Sequence, residues 1–298
     1  MAALALAACA QGAPSASTAP TPSSPAPSRP AAAESRADRF VDSVLALMTL
    51  EEKLGQLNQR TGPELTGPGA AATLATTEAD LRAGRVGSYL NVVGAEETRR
   101  LQRLAMESRL RIPLLYGYDV IHGFRTTFPV PLAQASSWDT AGVARAARIA
   151  ATEAAASGIH WTFAPMVDIA RDPRWGRVVE GAGEDPYLGS AMAAAAVRGY
   201  QGTDLGADST ILATAKHFVA YGAAEGGRDY DAAEVSERTL REIYLPPFEA
   251  AVRAGAGSIM ASFNEVDGVP MHANEALLRG VLRRDWGFDG LVVSDWTG

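Results

Sequence analysis

Asp295 closes the short apolar run Leu291-Val292-Val293-Ser294 and is followed by Trp296. A carboxylate at the point where a buried strand emerges, beside an aromatic ring, is held rigidly and faces whatever binds there, so Asp295 is a candidate nucleophile. The same residue also suits the N-cap of a following helix. The pattern recurs along the chain. Asp119 follows LLYGY, Asp168 follows FAPMV, Lys216 and His217 follow ATA, and Asn264 and Glu265 follow MASF, which ends on Phe263. Adjacent Lys216 and His217 can donate to several hydroxyls at once, and Asp119 can accept from a vicinal diol. Residues Arg171 to Arg177, RDPRWGR, set planar donor forks around Trp175, an aromatic face on which a sugar ring can stack. An ion-pair loop, and a structural Lys-His pair, are the alternative readings of these two segments.

The elements that must position these groups alternate short apolar runs with longer amphipathic or Ala-rich segments, the signature of a parallel β/α architecture. Strands are predicted at Val86 to Val93, Ile112 to Asp119, Ile159 to Asp168, Ile211 to His217, Ser258 to Glu265 and Leu291 to Asp295. Helices are predicted near Ala95 to Arg109, Asp139 to Ser157, Pro186 to Gln201, Ser236 to Arg253 and Asn274 to Asp285. A capping box, Thr49-Leu50-Glu51-Glu52, opens an earlier helix. No GxGxxG or GxxxxGK[ST] turn follows any strand, which argues against a doubly wound nucleotide-binding sheet. The expected fold class is therefore α/β, a (β/α)8 TIM-type barrel in which all strand ends share one face. The sequence stops after about the sixth predicted strand, and an open sheet leaves apolar edges unpaired, so the barrel is expected to be truncated here.

The 298 residues are 47% hydrophobic and 20% charged with a net charge of -7, and no basic block marks a nucleic-acid surface. The four histidines, His122, His160, His217 and His272, lack HExxH spacing and there is one cysteine, so no metal or cofactor is expected. Residues 1–10 read MAALALAACA, in which Leu6 to Cys9 looks like a lipobox that would lipidate Cys9 and anchor the chain to a membrane; a chance cysteine in an Ala-rich leader reads the same. Residues 11–36 are a Pro/Ser/Ala-rich linker too poor in large apolar groups to fold, and residues 37–298 form the barrel.

The ordered motifs YDVIHG, FAPMVDIARDPRWGR, GEDPYL, KHFVAYG and GFDGLVVSDW together resemble glycoside hydrolase family 3, in particular its bacterial periplasmic β-glucosidases. The likeness implies a retaining exo-acting hydrolase of terminal β-D-glucosyl residues, a β-glucoside or oligosaccharide as its small-molecule partner, and a cell-envelope location. It implies Asp295 as nucleophile and Asp119, Arg177, Lys216 and His217 as ligands of the terminal sugar. Phe263 and Trp296 are the aromatic groups expected beside it. The family's glucosidases carry their acid/base, a glutamate, on a second domain, so none is assigned within this chain. The family's N-acetylglucosaminidases have a KHFPGHG-like loop; KHFVAYGAAEGGRDY lacks its histidines, which disfavours that activity. A β-xylosidase-like enzyme and a non-catalytic sugar-binding remnant are the alternatives.

Overall fold

The structure, a computed structural model, describes residues 36–62 and 78–296. Cys9 and linker residues 11–35 lie outside them, while Arg36, the last residue assigned to the linker, is the first of a helix. The chain divides into a unit ending at Ser43 and a compact unit from Val44 to Gly298. Helix α1 (Arg36–Leu47) has no buried residue. Helix α2 (Leu50–Gln56) starts on the expected capping box, with Thr49 and Glu52 each accepting from the other's backbone N–H.

Strands β1 (Gln59–Thr61), β2 (Ser88–Leu90), β3 (Leu115–Tyr118), β4 (Trp161–Thr162), β5 (Leu212–Phe218) and β6 (Ser258–Ala261) pair in parallel in chain order. Strands β7 (Glu265–Val266) and β8 (Val269–Pro270) form a separate antiparallel ribbon, and β9 (Leu291–Ser294) joins the sheet beside β6. The strand order never reverses, so the sheet is singly wound as in a barrel rather than doubly wound. Among the described residues β1 and β9 are the free edges.

The sheet has seven strands where six are predicted. The extra one, β1, is the polar tripeptide Gln59-Arg60-Thr61 and has no apolar period to reveal it. The predicted strand over Ser258 to Glu265 ends at Ala261, and Glu265 belongs to the ribbon. β9 is not buried on both faces: Leu291 is exposed and Val292 and Val293 half-buried, because β9 pairs on one side only.

Helices α3 (Glu78–Arg82), α4 (Ala95–Ala105), α5 (Pro131–Ala135), α6 (Thr140–Ala156) and α7 (Pro186–Gln201) follow the early strands; α8 (Glu237–Thr239), a π-helical turn Leu240–Tyr244, α9 (Pro246–Arg253) and a π-helical segment Ala276–Asp285 follow β5 and β6. In GEDPYL, Asp185 caps α7 by accepting from the Leu188 N–H and Pro186 takes the first turn. Small residues bring α6 and α7 together: a Cβ at Gly199 would lie 2.6 Å from the Ala144 carbonyl oxygen.

One sheet face packs on the helices through residues such as Ala215 and Ile259. The opposite face carries Leu90, Trp161, Leu212, Met260 and Val293, side chains from five strands meeting as a barrel interior. Leu212, Thr214 and Lys216 alternate onto that inner face, and Thr214 accepts from the Trp161 indole at 2.6 Å. The pairing of β5 with β6 then slips between Lys216 and Phe218, leaving His217 as an extra residue whose side chain the bulge re-aims.

A smaller, separate cluster joins Met166, Ala170, Trp175 and Tyr221 from the segments that follow β4 and β5. Gly222 lets its loop approach: a Cβ there would meet the Ile169 carbonyl oxygen at 2.3 Å and the Trp175 ring at 3.2 Å. Gly222→Ala is expected to destabilise the protein by about 1–3 kcal/mol through this overpacking, read as a lowered urea midpoint. An unchanged midpoint would show that the loop yields freely.

Candidate active site

The loops after β3, β4, β5, β6 and β9 surround a cavity of about 360 Å³, a volume that suits a small ligand. Asp119, Arg177, Lys216, Phe263, Asp295 and Trp296 all line it, six of the seven side chains singled out for catalysis or substrate binding. His217 does not. Its ring is 1% exposed and lies behind the wall, against Asp295.

Each polar group is held by a partner. The Lys216 ammonium, almost fully buried, donates to Asp119 Oδ1 at 2.8 Å, while Asp119 remains 40% exposed to the cavity. Arg177 donates from Nε and a terminal nitrogen to the two oxygens of Glu180 at 2.8 and 2.9 Å, and its guanidinium stands 5.5 Å from the Tyr221 ring centre. This bidentate pair fixes the plane of the fork, so Arg177 offers directed donors to the cavity rather than a mobile charge.

Asp295 emerges from β9 with its own N–H donating to the Ala261 carbonyl at 3.3 Å, and its Oδ1 accepts from the Trp296 N–H at 2.6 Å. Its Oδ2 is buried and has no hydrogen-bond partner among the described residues; His217 Nε2 stands 3.4 Å away. Burial pushes the Asp295 carboxyl above the ordinary carboxylate range, opposed by the Trp296 N–H and the Lys216 and Arg177 cations and reinforced by Asp119. The positive field of Lys216 and Arg177 thus has the sign that ionises a nucleophile, but desolvation outweighs it.

Behind this wall, Asp168 Oδ2 contacts His217 Nδ1 at 2.8 Å and accepts from the His217 backbone N–H at 3.0 Å, with both side chains 1% exposed. Burial first, then the Arg177 and Lys216 charges, hold the imidazole neutral at physiological pH. Burial drives Asp168 up to about 7, against the backbone donor and the Arg177 charge.

Several readings of single motifs change. Trp175 is 1% exposed, donates to Asp229 Oδ1 at 2.8 Å and packs edge-on to Tyr221, so it is a prop beneath Arg177 and not a stacking face. Arg174 closes an exposed ion pair on Asp172, so of RDPRWGR only Arg177 reaches the cavity. Asn264 is buried and bonded to backbone carbonyls, and Glu265 sits on the β7–β8 ribbon away from the cavity. Gln59, Glu180 and Tyr230 line the cavity without having been singled out. Tyr230 holds a positive φ of 70° in the loop after β5 and packs edge-on to Phe263. Its only signal in the sequence is an aromatic in a polar, Gly-rich stretch. Among the described residues no cluster of three or more His, Cys, Asp or Glu is placed to hold a metal.

A singly wound parallel sheet with carboxylates, fixed cations and aromatic rings gathered at its strand ends defines an α/β-barrel domain with a polar cavity at that face. The profile for the glycosyl hydrolase family 3 N terminal domain matches residues 49–298, and the chain belongs to that family. A periplasmic beta-glucosidase of Salmonella typhimurium is 42% identical over 259 residues, 87% of this chain and 33% of the relative. A beta-xylosidase of Formosa agariphila is 42% identical over 200 residues, 63% of this chain and 28% of the relative. The crystal structure of a beta-glucosidase from Listeria innocua in complex with glucose superposes with a TM-score of 0.79 at 42% identity, over 87% of this chain and 37% of that one. The chain spans about a third of the length of these relatives.

Proposed function

We propose that this domain supplies the nucleophile and the sugar-binding wall of a retaining β-glucosidase that removes terminal, non-reducing β-D-glucosyl residues. The observation that carries the reading is the single cavity shared by Asp295, the Asp119–Lys216 pair and the Glu180-braced Arg177. In this reading Asp119, Lys216 and Arg177 hold ring hydroxyls, and Phe263 and Trp296 flank the sugar. His217 supports Asp295 from behind and is not itself a hydroxyl ligand. Asp295 attacks the anomeric carbon, a C–O bond to the carboxylate forms as the glycosidic C–O bond breaks, and an acid protonates the departing oxygen. Water then reverses the step. No acid/base is assigned among these residues. The names of the Salmonella and Listeria relatives favour glucose as the sugar, and the Salmonella name favours a periplasmic or cell-envelope location, with the lipid anchor at Cys9 one way to reach it.

The test uses 2,4-dinitrophenyl 2-deoxy-2-fluoro-β-D-glucoside, whose leaving group departs without acid assistance, so the trapped intermediate reports the nucleophile alone. The peptide bearing Asp295 should gain the fluoroglucosyl mass. Labelling elsewhere would move the nucleophile from Asp295, and glucose binding with no labelling would favour the sugar-binding reading. The Formosa relative motivates a second sugar, and faster trapping by the fluoroxyloside would reassign the specificity.

A further inference from the structure

The one oxygen Asp168 Oδ2 meets both the His217 backbone N–H and His217 Nδ1, at 3.0 and 2.8 Å, and the far nitrogen of the same ring stands 3.4 Å from the unpartnered Oδ2 of Asp295. Which nitrogen carries the proton therefore decides what Asp295 faces. If Nδ1 is protonated and Asp168 ionised, the bare Nε2 lone pair points at a buried carboxylate oxygen and leaves it without a donor. If Nε2 is protonated, that oxygen gains a donor where it otherwise has none among the described residues.

We propose that Asp168 is a positioning residue, a neutral carboxylic acid that donates its proton to His217 Nδ1 and so holds the tautomer whose Nε2–H is aimed at Asp295. This rests on the reading of Asp295 as the nucleophile.

Two observations favour it. Asp168 Oδ1 is buried with no hydrogen-bond partner among the described residues, and an ionised carboxylate with a naked oxygen costs far more there than a neutral acid with a free carbonyl. The local charges are also already balanced. Lys216 is paired with Asp119 and Arg177 with Glu180, so an ionised Asp168 would add a second uncompensated anion beside Asp295. The other titratable groups facing these two carboxylates are His272 and Tyr230, on the Asp295 side. The elevated Asp168 value noted above agrees in sign. A buried acid kept neutral so that it can donate is an established device for steering charge in a site.

Asp168→Asn separates the shape from the proton. Because one atom must accept the His217 backbone N–H, it has to be the amide oxygen, which cannot donate to Nδ1. Nδ1 must then keep the proton, and Nε2 turns a lone pair toward Asp295. The nitrogen shifts of ¹⁵N-histidine-labelled protein, with the His217 signal identified by its loss in His217→Gln, read the tautomer directly. The expected result is a neutral Nε2–H ring in the natural sequence and Nδ1–H in Asp168→Asn. The acid limb of fluoroglucoside trapping should move upward by about one pH unit in the variant, or about tenfold slower labelling below it.

A neutral Nδ1–H ring, or a doubly protonated ring, in the natural sequence at neutral pH overturns the proposal whether or not the variant folds. An unmoved tautomer or limb in a folded Asp168→Asn does the same. If Asp295 is never labelled while the tautomers are as stated, the functional reading fails and the assignment of Asp168 stands.

Discussion

Asp295→Asn should abolish fluoroglucosyl labelling, lower any glucoside turnover by about 10⁴-fold or more, and at the same time raise the thermal midpoint at neutral pH. The first two effects follow from removing the attacking carboxylate. The third follows from its surroundings. The Asp295 side chain is 14% exposed, His217 Nε2 stands 3.4 Å from its Oδ2, and burial holds its pKa above the ordinary range. A carboxyl that binds its proton more tightly in the folded than in the unfolded state costs nothing below the unfolded value. Its penalty grows as pH rises through the unfolded and then the folded value, and persists above both. At neutral pH the ionised Asp295 therefore works against folding, and an amide of the same shape removes that charge. The gain in midpoint should shrink in acid, below about pH 4, where the natural carboxyl is neutral too. Melting both proteins across this range checks the sign. A lowered midpoint at neutral pH would mean that the carboxylate is a net stabiliser, and unchanged labelling would take Asp295 out of the mechanism.

Much of this site could be read from residue order, because a parallel sheet collects the ends of its strands. Asp119, Lys216 and Asp295 each follow an apolar run, and the alternation Leu212, Thr214, Lys216 carries the ammonium onto the inner face. What escaped has physical causes. Strand β1 contributes Gln59 to the cavity from a polar tripeptide that has backbone pairing but no hydrophobic period. His217 is displaced by a bulge, so the alternation that placed its neighbour correctly fails one residue later. Trp175 and Arg177 are two residues apart in a loop, where no period tells which side chain faces the ligand. The indole is turned inward by Asp229, and the guanidinium is turned outward by Glu180. Asp168 is visible as a strand-end carboxylate, but its burial against an imidazole depends on a contact between residues 49 positions apart.

Lys216→Met should reduce kcat/KM on aryl glucosides by about 10²-fold, with the acid limb of trapping displaced upward. Lys216 has two duties in the geometry. It presents a charged donor beside the cavity, and it is the leading cation offsetting the burial of Asp295. Methionine keeps much of the apolar stem and removes the charge, so the nucleophile ionises only at higher pH. Asp119→Asn provides the contrast. It also weakens a group facing the sugar, so KM should rise, but it deletes an anion that disfavours ionisation of Asp295 and frees Lys216 from its partner. Its acid limb should move downward. Loss of a hydroxyl ligand alone predicts weaker binding in both variants and no displacement of either limb. Displacements of opposite sign, measured by fluoroglucoside trapping across pH, are what a shared field acting on one buried carboxylate requires. Limbs that stay together would leave Asp119 and Lys216 as sugar ligands only.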